Sequence, residues 1–227
     1  MKIKIIFISI IFILCSDIFP QNITNTLGTR GTYSIKDGST TFFTLSQSSG
    51  TISLISLSAG DQRSSIFKGT ERFLHTYYGS GTNGYNTFLG LQSGNFAIGG
   101  TETGFQGSYN TGVGHSSLTS LTTGYSNSAF GYQSLLSNTS GYNNSAFGNY
   151  SLYSNTIGYN NSAFGYLSLY YNTMGYNNSA FGYSSLRSNT TGDFNSAFGY
   201  RSLYFNNTGS NNSSIGTESL YSNTTGS

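Results

Sequence analysis

From Gly107 onward the chain repeats every seventeen residues and never leaves register. Glycine stands at Gly107, Gly124, Gly141, Gly158, Gly175, Gly192, Gly209 and Gly226. Three residues after each complete start comes asparagine, from Asn110 and Asn127 through to Asn212, and eleven after it leucine, from Leu118 through to Leu220. The fullest copies read GYNNSAFGYxSLxSNTT. A fixed period of this length requires a stacked, quasi-one-dimensional architecture in which each unit contacts mainly its neighbours.

Composition sets the secondary structure of the stack. Charged residues make up 7% of the chain and the net charge is +2, which leaves no electrostatic footprint for nucleic acid. Phe and Tyr make up 16%, unlike the aromatic-poor composition of unfolded chains. Gly, Asn, Ser and Thr dominate the repeat; they favour turns and extended segments over helix. The expected fold is all-β: a β-solenoid or β-roll of 17-residue repeats with a small β-rich N-terminal leader.

Four regions are expected. Residues 1–21 read as a secretory signal peptide: Lys2 and Lys4 precede the apolar run Ile5 to Leu14, which is too short to span a bilayer of about 30 Å. Cleavage near Gln21 leaves a secreted or cell-surface chain with no transmembrane segment. It also removes Cys15, the one cysteine, so the mature chain holds together without disulfides. Leu14 before Cys15 does not supply the small residue that a lipid-anchoring signal needs. Residues 22–80 form a β-rich leader or cap, with strand-type segments at Thr32 to Ile35, Thr40 to Ser46, Thr51 to Ser58 and Ser65 to Tyr78. Residues 81–106 are transitional, degenerate repeats, and residues 107–227 hold seven repeats plus the start of an eighth, as if cut from a longer array.

Within one repeat, two short strands are expected. In the copy that starts at Gly141 these are Ser145-Ala146-Phe147, and Tyr150 to Tyr153 ahead of the Asn155-Thr156 turn. Alternation puts Ala146 and Gly148 on one face and Phe147 on the other. In-register stacking then builds ladders of Asn, Phe, Leu and Tyr. Each copy offers little apolar material for a core, which favours association of several chains into a homo-oligomer.

The repeat core Asn-[Ser/Thr]-Ala-Phe-Gly-Tyr-x-Ser-Leu, with its Ser-Asn-Thr-Thr-Gly link, resembles a group of secreted bacterial repeat proteins. These are the tail-fibre-domain or trimeric-adhesin-like proteins, similar in style to the β-roll heads of trimeric autotransporter adhesins. The lead-in segments Asn86 to Gly90 and Ser93 to Gly100 fit the same group. The resemblance implies a trimer at the cell surface.

No catalytic, cofactor or metal constellation is visible, and the expectation is a non-enzyme. His115 occupies a slot that is Tyr in most copies, and His75 reads as a partly exposed strand residue. The slots nine, twelve and thirteen residues after each Gly vary freely. The twelfth carries the candidate surface-contact residues Tyr153, Tyr170, Tyr204 and Tyr221, suited to stacking on glycans or on a host or matrix surface. The expected function is an adhesin-like rod or spacer that presents a binding surface. The alternatives are a self-polymerising extracellular fibre, or an ice-binding solenoid built on the Asn-Thr-Thr links.

Overall fold

The computed structural model describes residues 32–37, 40–46, 51–54, 65–68, 71–76, 81–95, 98 and 104–227. The expected signal peptide and Cys15 lie outside them. The chain divides into two compact units, 1–57 and 58–227. The described residues contain strands and turns and no helix, so none is long and apolar enough to cross a membrane.

The first unit holds β1 (Thr32–Asp37), β2 (Thr40–Ser46) and β3 (Thr51–Leu54) in a three-stranded antiparallel sheet.

The second unit is a β-solenoid of about six turns. Its sheet begins with an antiparallel pair, β4 (Ser65–Lys68) and β5 (Glu71–His75), so the single segment expected at Ser65 to Tyr78 is two strands. β5 pairs antiparallel with β6 (Thr87–Leu89). From there all pairing is parallel: β7 (Thr111–Val113), β8 (Ser128–Phe130), β9 (Ser145–Phe147), β10 (Ser162–Phe164), β11 (Ser179–Phe181), β12 (Ser196–Phe198) and β13 (Ser213–Ile215) follow in chain order. Register follows from the period: Ser162 faces Ser145, Ala163 faces Ala146 and Phe164 faces Phe147. The lead-in motif at Asn86 aligns with the one at Asn110, since Thr87 pairs with Thr111 across a longer first coil.

Each coil has one three-residue strand. The second strand expected at Tyr150 to Tyr153 does not form. Tyr150 (φ 60°) and Leu152 (φ 49°) are left-handed, as is Asn143 (φ 54°), and the same slots repeat this in every regular copy. The reason is visible in the core. Ser151 and Leu152 are adjacent and both fully buried, which strand alternation forbids. Left-handed backbone at a bulky residue is unfavourable. It persists because the neighbouring coil holds the segment: Leu152 N donates to Ser168 O (3.0 Å) and Ser154 N to Tyr170 O (3.0 Å), while the Leu152 side chain gains roughly 2–3 kcal/mol from burial.

The interior is narrow. Its apolar contents in the regular coils are the Ala column (Ala129, Ala146, Ala163, Ala180, Ala197) and the Leu column (Leu118 through Leu203). The rest of the buried lining is polar and laddered. Asn144 Oδ1 accepts from Asn161 N (3.0 Å) and Nδ2 (3.2 Å), and Asn144 Nδ2 donates to Gly158 O (2.8 Å). A second column runs through Asn155, whose Nδ2 donates to Asn138 Oδ1 (2.8 Å) and Gly158 O (3.0 Å). Ser151 Oγ closes the corner by donating to Gly148 O (2.9 Å). At the link, Thr156 N, Ile157 N and Gly158 N all converge on Thr173 O (3.0–3.4 Å). Glycine is required at Gly148: its φ is 138°, and a Cβ there would lie 2.5 Å from Gly165 O.

The first coil is plugged differently. Phe88 is fully buried where later coils place Ala, and the next coil makes room with Gly112, whose Cβ would lie 3.0 Å from the Phe88 ring. His75 is buried beside it. The sequence placed it partly exposed, but its ring packs 4.9 Å from Phe88 and its Nε2 lies 2.7 Å from Ser93 O. It is the β5 residue that pairs with Phe88 on β6. Leu121 replaces the second-column asparagine here and shares the apolar cluster with Ile98.

Three substitutions test this account. Gly148→Ala should lower unfolding free energy by about 2 kcal/mol or more in urea denaturation, through strain and the clash with Gly165. Asn161→Ala should cost about 2–3 kcal/mol, because it orphans the buried Asn178 N–H. Asn160→Gly, at an exposed left-handed position, should stay within about 0.5 kcal/mol of the parent.

Candidate functional site

Residues whose side chains point out of the coil are the ones available for contact with other molecules. Four aromatic columns run along it. Phe130, Phe147, Phe164, Phe181 and Phe198 stack face to face with centroids 4.7–4.9 Å apart. Tyr125, Tyr142, Tyr159 and Tyr176 do the same at 4.8 Å. Phe is therefore an exterior ladder residue, opposite Ala across the strand as alternation requires. Neighbouring rings hide each other's faces and leave their edges to the surroundings. His115 heads a third, exposed column, stacked on Tyr132 at 5.5 Å in a slot otherwise mostly Tyr.

The residues singled out in the sequence form one continuous column. Tyr153 stacks on Tyr170 (5.0 Å) and Tyr204 on Tyr221 (5.2 Å). Arg187 fills the copy between, with its guanidinium carbon 5.5 Å from the ring centres of both Tyr170 and Tyr204, and Nη1 donates to the Tyr204 hydroxyl (3.1 Å). The guanidinium takes the place of a ring in the stack by a cation–π contact. All four tyrosines are half-buried. The column supports its neighbours and offers little free ring face.

More accessible rings stand one residue later. Tyr171 meets Tyr170 edge-on at 4.6 Å and 85°, and Phe205 meets Tyr204 edge-on at 4.8 Å and 85°. Arg187 also lies 5.0 Å from the Tyr171 ring. Between Tyr171 and Phe205, in the intervening coil, the same slot holds Ser188. The result is an open cleft of about 550 Å³ with Tyr171, Phe205, Ser188, Thr173, Thr190 and Asn207 among its lining residues. Sequence reasoning named the slot as variable but not these residues. Their signal was compositional: the thirteenth slot is Ser at Ser120, Ser137, Ser154, Ser188 and Ser222, and aromatic only at Tyr171 and Phe205.

Among the described residues no group of three His, Cys, Asp or Glu converges. Arg201 and Glu218 form an ion pair at 3.7 Å on the surface, which contributes little. Comparison with protein-family models, with curated proteins and with solved structures finds no match.

The tyrosine column makes an alkaline prediction. Burial, then the neighbouring Tyr153 and Tyr171 phenols, push the Tyr170 pKa above its ordinary 10.0, against the lowering influence of Arg187. Tyr125 is raised chiefly by burial, with Tyr142 adding to it. A phenol whose folded pKa is raised favours the folded state below its unfolded pKa, and that stability is lost as pH rises through the folded value. The contribution of these phenols should therefore be constant across neutral pH and be lost above pH 10. A spectrophotometric titration should show late-ionising phenols, one fewer in Tyr170→Phe.

Proposed function

We propose that the chain is a secreted or cell-surface structural protein, an adhesin-like rod that assembles as a homotrimer and presents a binding surface without catalysing a reaction. The carrying observation is the division of labour within each coil. Ala, Leu, Ser and both Asn columns are consumed inside the stack, while the Phe and Tyr ladders run outside it. A row of outward Phe edges flanked by exposed Tyr132, Tyr166, Tyr183 and Tyr200 is more apolar surface than a lone solenoid of this width needs. Packing this strand face against identical chains would bury it, and the core of each chain is thin enough to profit. Outward-facing variable slots supply the recognition, and the invariant slots supply length.

Sedimentation of the mature chain should give three chain masses, and Phe164→Asp with Phe181→Asp should reduce that to one, because the charges fall on the shared face. A monomer in the parent chain overturns the trimer. Open-ended, dye-binding filaments would identify a self-polymerising fibre in its place.

A further inference from the structure

The cleft between Tyr171 and Phe205 has the construction of a small-ligand site. Two aromatic rings, 44% and 45% exposed, project from the same slot two coils apart, about 9.6 Å along the axis at the usual strand spacing. Ser188 is the small residue that keeps the interval open. The backbone beneath is fixed at each step by the next coil: Tyr171 N donates to Arg187 O (3.0 Å), Ser188 N to Tyr204 O (3.1 Å) and Phe205 N to Tyr221 O (3.1 Å). The rings are fixed in turn by edge-on contact with Tyr170 and Tyr204, which Arg187 ties together. A site that is ordered before binding loses little entropy on binding.

The lining between the rings is hydroxyl and amide. Thr173 Oγ1 donates to Thr190 O (3.0 Å), and Thr190 Oγ1 donates to Asn207 Oδ1 (2.6 Å). Those donors are spent on the stack, so the Thr oxygens face a ligand as acceptors. Asn207, its carbonyl oxygen engaged by Thr190, contributes its amide nitrogen as donor, and Ser188 adds a hydroxyl. No acidic or basic side chain lines the cleft, and its volume falls within the roughly 300–1,000 Å³ of small-molecule sites.

We propose that this cleft binds a neutral saccharide, its apolar C–H face laid against Tyr171 or Phe205 and its hydroxyl rim met by Ser188, Thr190 and Asn207. A ligand needs both an apolar flat face and a ring of donors and acceptors to match this lining; a hexose unit has both, and an extended oligosaccharide lying along the solenoid axis reaches both rings. The proposal rests on the reading of the solenoid as a presenting surface and is independent of oligomeric state. A monomer that binds saccharide removes the trimer alone, and a trimer that binds none removes the cleft alone.

The repeat supplies its own control. Serine is what most other copies carry in this slot, so Tyr171→Ser with Phe205→Ser should keep the parent's circular dichroism and still unfold cooperatively. Titrating the full chain calorimetrically with cellotetraose, chitotetraose and maltotetraose should give saturable binding of at least one, weakened tenfold or more in the double variant. Ser188→Tyr should weaken it equally by filling the interval with a ring while removing neither aromatic, and it decides the matter if the double variant does not fold. Absence of binding by all three saccharides in the parent chain overturns the proposal, as does binding that both variants leave unchanged.

Discussion

A coil whose apolar interior is one Ala and one Leu cannot be held by hydrophobic burial alone, and the structure depends on hydrogen bonds between coils. Backbone groups on every side of the coil pair with the coil before or after, and the Asn columns extend that pairing into the interior. An asparagine amide carries an acceptor and two donors. The amide at Asn144 uses all of them, satisfying its own needs while capping the backbone of its neighbours. Buried polar groups normally cost stability unless partnered. Here translation by one repeat guarantees the partner, because the same amide recurs one strand spacing away.

That dependence explains where the repeat is strict and where it relaxes. A residue inside the coil has identical neighbours above and below, so a change in one copy disturbs two others. The departures inside come in compensating sets: at the start of the solenoid, buried Phe88 beside Gly112, and Leu121 with Ile98 in place of the second asparagine column; at its far end, buried Ser214 in the Ala slot, whose hydroxyl accepts from Ser202 Oγ (2.8 Å). Outward slots have no such obligation. Arg187 within a tyrosine column, and Tyr171 and Phe205 within a serine one, are tolerated because each adds side chain without altering the backbone ladder.

Stacked aromatic rings outside the coil serve both stability and surface character. Stacked rings with centres 4.7–5.2 Å apart shield one another and contribute beyond their buried area, which a thin core needs. What they leave exposed is a set of ring edges and phenol hydroxyls, a surface suited to contact with other surfaces. Where a slot alternates between aromatic and small, as at Ser188, the column is interrupted and its rings are not stacked on one another.

The seventeen-residue period by itself determined the stacked β architecture, the parallel register, and the ladders of Asn, Leu, Phe and Tyr, because identical residues at a fixed interval can only align on themselves. Ala146 facing in and Phe147 facing out were also legible, from strand alternation. Tyr150 to Tyr153 was not. Its composition suits a strand, and only the need to turn a narrow coil sharply enough to bury Ser151 beside Leu152 forces Tyr150 and Leu152 into left-handed backbone. The same closure decided which variable slot lines the cleft. In sequence Tyr170 and Tyr171 are adjacent and equivalent; in the folded coil Tyr170 lies in a stacked column, while Tyr171 stands across from Phe205 with Ser188 between. Sequence periodicity fixes what repeats along the axis, but the path of the chain around the axis sets what faces outward.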